Sequence, residues 1–220
     1  MRILLTYLIL LSPALISCKG KSASSESIKK DGAINGVTAS PPFECNYVNQ
    51  KKRCQELFST HKKDSSRENK LRLINFISDS LLPCWYGTPW DFNGTTQIPQ
   101  EGKIACGYFV TTTLRDAGLT IDRIKLAQCA SEQLVKTTFT EIRRYSNKPL
   151  NHFVEEIRKS GLGLYIVGLD NHTGFILNDG KEVYFIHSGV ITPRCALKER
   201  AIESKTLRSS NYRVVGKIIL

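Results

Sequence analysis

The stretch HTGFILNDGKEVYFIHS, residues 172–188, decides the fold. β-branched and aromatic residues fill both halves, and between them stands Asp179-Gly180, a dipeptide that closes hairpins. Read as the two-residue tip of a type I′ turn, it sets Asn178 opposite Lys181, and every cross-strand pair then sums to 359 in residue number. His172 and His187 form such a pair. Their imidazoles are therefore expected on one face of the hairpin, with Cβ atoms about 4.5–5.5 Å apart. The chain holds only four His, so two in direct opposition mark a candidate site. One can take a proton while the other holds its tautomer and orientation.

Further strands are expected on either side of the hairpin, at Leu164–Leu169 and Tyr212–Ile219. The period upstream is helical instead. Leu71, Ile74, Ile77, Ser78 and Leu81 recur at three- and four-residue spacing from Ser66 until Pro83 stops the run. Residues 85–104 read as a loop punctuated by Gly87, Pro89, Gly94, Pro99 and Gly102. Cys106 then opens a helix whose stripe is Val110, Leu114 and Ala117, with Gly118 as its C-cap. Two more helices are expected, within 131–145 and 150–160. Helices first and antiparallel strands later predict an α+β domain.

Cys106 is the second chemical signal. Unpaired backbone N–H groups and the helix dipole at an N-terminus favour a thiolate there, and Gly107 leaves space for a substrate carbonyl. Trp85, Tyr86 and Trp90 precede Cys106 in the loop. The two Trp are core residues or a substrate wall, and the Tyr86 hydroxyl is placed to help bind an oxyanion. His61 and His152 sit in polar surroundings and are expected at the surface. Cysteine and histidine spacing gives no zinc motif; neither metal nor cofactor is expected, although a metal-binding or structural His pair is the competing reading of His172 and His187.

The N-terminus carries an address rather than a fold. Arg2, the apolar run Ile3 to Ile16 and Ser17-Cys18 have the order of an export signal. Leu15-Ile16-Ser17-Cys18 resembles the bacterial lipobox, which implies removal of residues 1–17 and a lipid anchor on Cys18 that holds the protein at a membrane surface. The expected organisation is then a flexible tether over 18–42, an N-terminal extension over 43–65 and a catalytic domain over 66–220. Of the net charge of +11, residues 19–72 supply twelve Lys/Arg against six Asp/Glu. A basic tether suits anionic head groups or wall polymers, and with an export signal and no groove-reading motif, nucleic acid is not an expected partner. Of the seven Cys, Cys45 and Cys54 could close a small loop in an oxidising compartment; pairings of Cys84, Cys129 and Cys195 stay open.

Three segments together resemble the NlpC/P60 cysteine peptidases: Ala105-Cys106-Gly107-Tyr108-Phe109-Val110, His172-Thr173-Gly174-Phe175-Ile176 and Phe185-Ile186-His187-Ser188, with Tyr86 upstream. The resemblance covers roughly residues 70–220. It implies a papain-like fold with the Cys-bearing helix packed on an antiparallel sheet, and cleavage of peptide bonds in bacterial cell-wall stem peptides, commonly next to γ-D-glutamate. It also implies Cys106 as nucleophile, His172 as base, His187 as orienter and Tyr86 near the oxyanion. The chain departs from the family in Ala105-Cys106-Gly107-Tyr108, where Asp-Cys-Ser-Gly is usual, and in the length of the loop between Tyr86 and Cys106. The expected protein is an envelope thiol hydrolase. The alternatives are a non-catalytic lipoprotein binding peptide or lipid, and an acyltransferase on the same fold.

Overall fold

The computed structural model describes residues 36–42, 44–139 and 141–218. The signal segment, Cys18 and residues 18–35 of the tether lie outside them. In chain order the elements are β1 (Val37–Thr38), α1 (Tyr47–Lys63), α2 (Arg67–Phe76), α3 (Cys106–Asp116), α4 (Arg123–Gln128), α5 (Ser131–Thr138), β2 (Ile142–Ser146) and α6 (Leu150–Lys159). Then come β3 (Gly163–Leu169), β4 (Thr173–Asn178), β5 (Val183–Ser188), β6 (Ala196–Arg200), α7 (Lys205–Ser209) and β7 (Tyr212–Lys217). A π-helical turn over Ile77–Leu81 and a 3-10 turn over Leu82–Trp85 follow α2. The seven strands form one antiparallel sheet in the order β1-β6-β5-β4-β3-β7-β2. The α+β class and the antiparallel sheet agree with the sequence.

Both faces of the sheet are covered. On one, Leu164, Ile166, Phe175, Ile186 and Val214 pack with Leu73, Phe109, Val110 and Leu134 from the helices. On the other, Tyr165, Val167, Ile176, Phe185 and Val215 meet Phe153, Val154 and Ile157 of α6 and Leu207 of α7. Each large apolar side chain so buried contributes about 1.5–3 kcal/mol. β3 is consequently buried at every position, which is why Leu164–Leu169 reads as a continuous apolar run rather than an alternation. α1 belongs to the same core: Asp116 at the end of α3 accepts hydrogen bonds from Tyr47 (2.9 Å) and Arg115 (2.8 Å), and Lys51 approaches it to 3.0 Å.

The central hairpin departs from its expected register. Asn178 pairs Val183, not Lys181. Asp179 makes the difference: its carboxylate accepts the N–H of Lys181 (2.8 Å) and of Glu182 (2.7 Å), which draws both residues into a four-residue loop with Gly180 at φ +89°. Asn178 is pinned from the other side, donating to the carbonyls of Ile157 (2.9 Å), Arg158 (3.2 Å) and Gly161 (2.8 Å) at the end of α6. The register moves by two residues, an even number, so every side chain keeps its face.

Other expectations change as well. The helix expected within 131–145 ends at Thr138, and Ile142–Ser146 is the edge strand β2. The bridge between Cys45 and Cys54 is not formed; Cys45 is joined to Cys84, with Cα atoms 5.4 Å apart. Cys45 precedes the α1 cap Asn46 while Cys54 lies inside the helix. Some eight residues of helix rise about 12 Å, too far for a disulfide. Cys54 instead faces the core beside the Ala117 carbonyl, its thiol pushed up to about 12 by burial and then by Asp116.

Candidate active site

Helix α3 starts where the loop before it is tied to the sheet. Ile104 N–H donates to Pro89 (2.9 Å), Ala105 N–H to Gly94 (2.9 Å), and Ser188 at the end of β5 donates its hydroxyl to the Ile104 carbonyl (2.8 Å). Ala105 is extended and caps the helix without a side-chain bond, so Cys106 is the first helical residue. Its half-buried sulfur faces the Thr173 N–H at the start of β4, the residue after His172.

The two His converge as expected, through a different geometry. His172 Nε2 and His187 Nδ1 are 2.9 Å apart, with the rings perpendicular and their centroids 5.0 Å apart. In the observed register His187 stands across from Gly174, not His172. A Cβ on Gly174 would lie 2.8 Å from the His187 Cβ and 2.6 Å from Phe185 Cε2. The missing side chain lets His187 lean past Gly174 to His172. Phe185 stacks on the His187 ring at 4.0 Å, and a Cβ on Gly189 would come within 2.5 Å of His187 Cε1. The imidazole is thus fixed on three sides.

Glu199, on β6, completes the line. Its Oε1 lies 3.2 Å from His187 Nε2. In sequence Glu199 stands in the charged run Lys198-Glu199-Arg200, which has the composition of a solvated surface. The punctuation by Gly189 and Pro193 before Ala196-Leu197 is the signal of a third strand beside the hairpin. One assignment of protons satisfies the whole chain. A Glu199 carboxylate only accepts, so His187 carries its proton on Nε2 and accepts at Nδ1. His172 then donates from Nε2 and leaves Nδ1 as a lone pair.

At rest, burial favours the uncharged forms of the thiol and of both imidazoles. Burial, and then His187, hold the His172 imidazolium well below its ordinary value. Burial lowers His187 too, with Glu199 opposing. The Cys106 thiol is raised by burial against the pull of the Thr173, Gly107 and Cys106 N–H groups. This corrects the expectation of a resting thiolate: the helix N-terminus is outweighed by desolvation.

The remaining candidates divide. Trp85 is fully buried, donating Nε1–H to the Tyr47 oxygen (3.2 Å) and packed edge-on against Tyr47 and Phe109, so it is core and not a substrate wall. The Tyr86 hydroxyl is buried without a partner, so it does not meet the Cys106 N–H; burial and then Asp79 push its ionisation up. Gly107 does not make room for a substrate: a Cβ there would strike the Ala127 carbonyl at 2.3 Å, and the glycine admits the close approach of α4. Trp90 is half-buried, bridged to Ile104 two residues before Cys106, with the Arg194 guanidinium 5.0 Å over its ring. Buried His61 contradicts its expected exposure, while His152 is exposed. Next to His172 a cavity of about 200 Å³ is lined by Asp170, Asn171, Val190, Ile191, Thr206 and Ser209. No group of three or more His, Cys, Asp or Glu able to hold a metal occurs among the described residues.

Comparison with family models, with curated proteins and with solved structures finds no match to this chain.

Proposed function

We propose that this chain is a thiol hydrolase of the bacterial cell envelope, cleaving an amide bond in peptidoglycan stem peptides from a membrane surface to which a lipid on Cys18 holds it. The observation that carries the reading is the 2.9 Å contact between His172 Nε2 and His187 Nδ1, with the next residue, Thr173, presenting its N–H to the Cys106 sulfur. A structural His pair needs no nucleophile next to it. The resemblance of the Cys106, His172 and His187 segments to NlpC/P60 peptidases, and with it a papain-like fold, supports the choice of substrate.

The chemistry follows from the uncharged resting forms of the thiol and the imidazoles. The Cys106 sulfur attacks the amide carbonyl as its proton passes to His172 Nδ1, forming the C–S bond and a tetrahedral oxyanion. His172 becomes imidazolium and returns that proton to the leaving amine as the C–N bond breaks. Water then attacks the thioester, losing its proton to His172, and the acid is released with the thiol restored. The charge on His172 is transient, and the line through His187 to Glu199 meets it with a fixed anion. The 200 Å³ cavity beside His172 receives part of the substrate, its exposed Val190 and Ile191 giving an apolar wall.

Purified stem peptides incubated with the protein should gain one water at one amide, read by mass. Cys106→Ala should abolish this in a protein that still unfolds cooperatively, and His172→Ala should be nearly as severe. Full activity in Cys106→Ala would end the proposal.

A further inference from the structure

The thiol and the two imidazoles approach from opposite sides of the sheet. Phe109 and Val110 of α3 pack with Ile186 on one face. On the other, Phe185 stacks on His187 at 4.0 Å and meets the His172 ring edge-on, with centroids 6.1 Å apart. The reacting groups thus share no face, and Cys106 can meet His172 only around the ends of β4 and β5. The register of α3 against those strand ends sets the gap across which the proton passes. A misplacement of about 1 Å in such a gap can cost about a hundredfold in rate.

Two contacts tie the start of α3 to those ends, and each is made by the residue that follows a histidine. After His172, the Thr173 N–H faces the Cys106 sulfur, while the Thr173 hydroxyl donates to the Val167 carbonyl of β3 (2.9 Å). After His187, Ser188 donates its hydroxyl to the carbonyl of Ile104, two residues before Cys106, at 2.8 Å. Successive side chains of a strand point to opposite faces, so with His187 on one face Ser188 is turned toward α3 on the other. The two contacts are not equivalent. The one from Thr173 engages the reacting sulfur itself and cannot hold its place once that sulfur bonds to carbon. The one from Ser188 stands clear of the reacting atoms and persists through the reaction. Ser188 and Ile104 are both fully buried, so water does not compete for the bond and Ser188 meets no substrate.

We propose that Ser188 is a positioning residue that registers the start of α3 against the histidine pair and so holds Cys106 within proton-transfer reach of His172. The inference rests on the thiol-hydrolase reading. Iodoacetamide alkylation of the full chain, followed by mass on the Cys106 peptide, tests it without a stem peptide. An isolated thiol reacts about tenfold more slowly for each pH unit below its ionisation, because only the thiolate attacks. A thiol that can pass its proton to an imidazole keeps a pH-independent plateau instead. With His172 lowered and Cys106 raised, the wild-type plateau should span neutral pH. Ser188→Ala should lower it by about tenfold or more and leave the high-pH limb unchanged, since that limb needs no histidine. On stem peptides kcat should fall by a similar factor with KM unchanged. Ser78→Ala removes a different buried hydroxyl, which donates to the Ile74 carbonyl (3.0 Å), and should leave the plateau and kcat as they are. A plateau undiminished in folded Ser188→Ala, or lowered equally by Ser78→Ala, would overturn the inference alone. No plateau in the wild type would overturn the pairing of Cys106 with His172 and the inference with it. A plateau lost in Ser188→Ala, in a protein that cleaves no stem peptide, would uphold Ser188 and overturn only the choice of substrate.

Discussion

Glu199→Gln isolates the charge of the carboxylate while keeping an oxygen to accept from His187. Glu199 touches no substrate, so it is a positioning residue acting through His187. From the 3.2 Å contact and the 5.0 Å ring spacing, its carboxylate lies roughly 8 Å from the charge that forms on His172; at an effective dielectric of about 20 the attraction is about 2 kcal/mol. Half or more of this should survive partial exposure of Glu199, which corresponds to a loss of about 5–30-fold in kcat. KM should be unchanged, because neither Glu199 nor His187 meets the ground-state substrate. The pH profile gives the second readout. Glu199 raises His187, so its neutralisation should let both imidazoles fall further, and the acid limb of kcat/KM should move to lower pH. Stem-peptide turnover from pH 4 to 9 measures both quantities. An unchanged kcat, or an acid limb moving upward, would refute the proton assignment that runs from Glu199 to His172.

Gly174→Ala should cost at least a hundredfold in turnover and about 1–3 kcal/mol of stability by chemical denaturation, since its Cβ meets His187 and Phe185 inside 3 Å; a fully active variant would show that His187 need not lean past this position. Stability should also fall as pH drops below about 6.5. His172 and His187 are lowered in the fold, so the unfolded chain binds more protons there; melting temperatures from pH 8 to 5 should decline, and less steeply in His187→Asn. A flat profile would contradict the burial of the pair. Cys45→Ser and Cys84→Ser should each lose about 4 kcal/mol, the loop-closure value for the 39-residue separation. Reductant should have no added effect on either variant, but should still destabilise Cys54→Ser.

How much of this was legible in the sequence depended on whether the decisive contact was local. The strands β3, β4, β5 and β7 and the shared face of His172 and His187 follow from period and composition, whereas β1, β2 and β6 do not. The register did not, because it turns on the Asp179 carboxylate choosing two N–H groups and on Asn178 capping a helix twenty residues upstream. The shared face survived only because the displacement was even. Glu199 was hidden for a different reason. A strand near the sheet edge, flanked by β1 with two residues, carries charges that look like ordinary surface. The sequence neighbours of Trp85 and Gly107 do not disclose their partners, Tyr47 and Ala127, which come from elements that no local pattern brings near. Tyr47, for example, starts a helix whose only signature is polar, and its hydroxyl receives the indole N–H across 38 residues.

The link from Cys45 to Cys84 also sets the path of mechanical load. A pull arriving from the N-terminal side first meets β1, two residues held edgewise on β6, which would peel away rung by rung. The next fixed point is Cys45. There tension leaves the backbone, crosses the sulfur bridge and re-enters the chain at Cys84, beside Trp85 in the core. Everything between the two cysteines, α1 and α2 included, is short-circuited and bears no force. A reduced molecule would lack that shunt. It would have to unwind α1 turn by turn and draw out Cys54 and the Asp116 contacts, so the rate of forced unfolding would report on the state of one covalent bond rather than on the helices it spans.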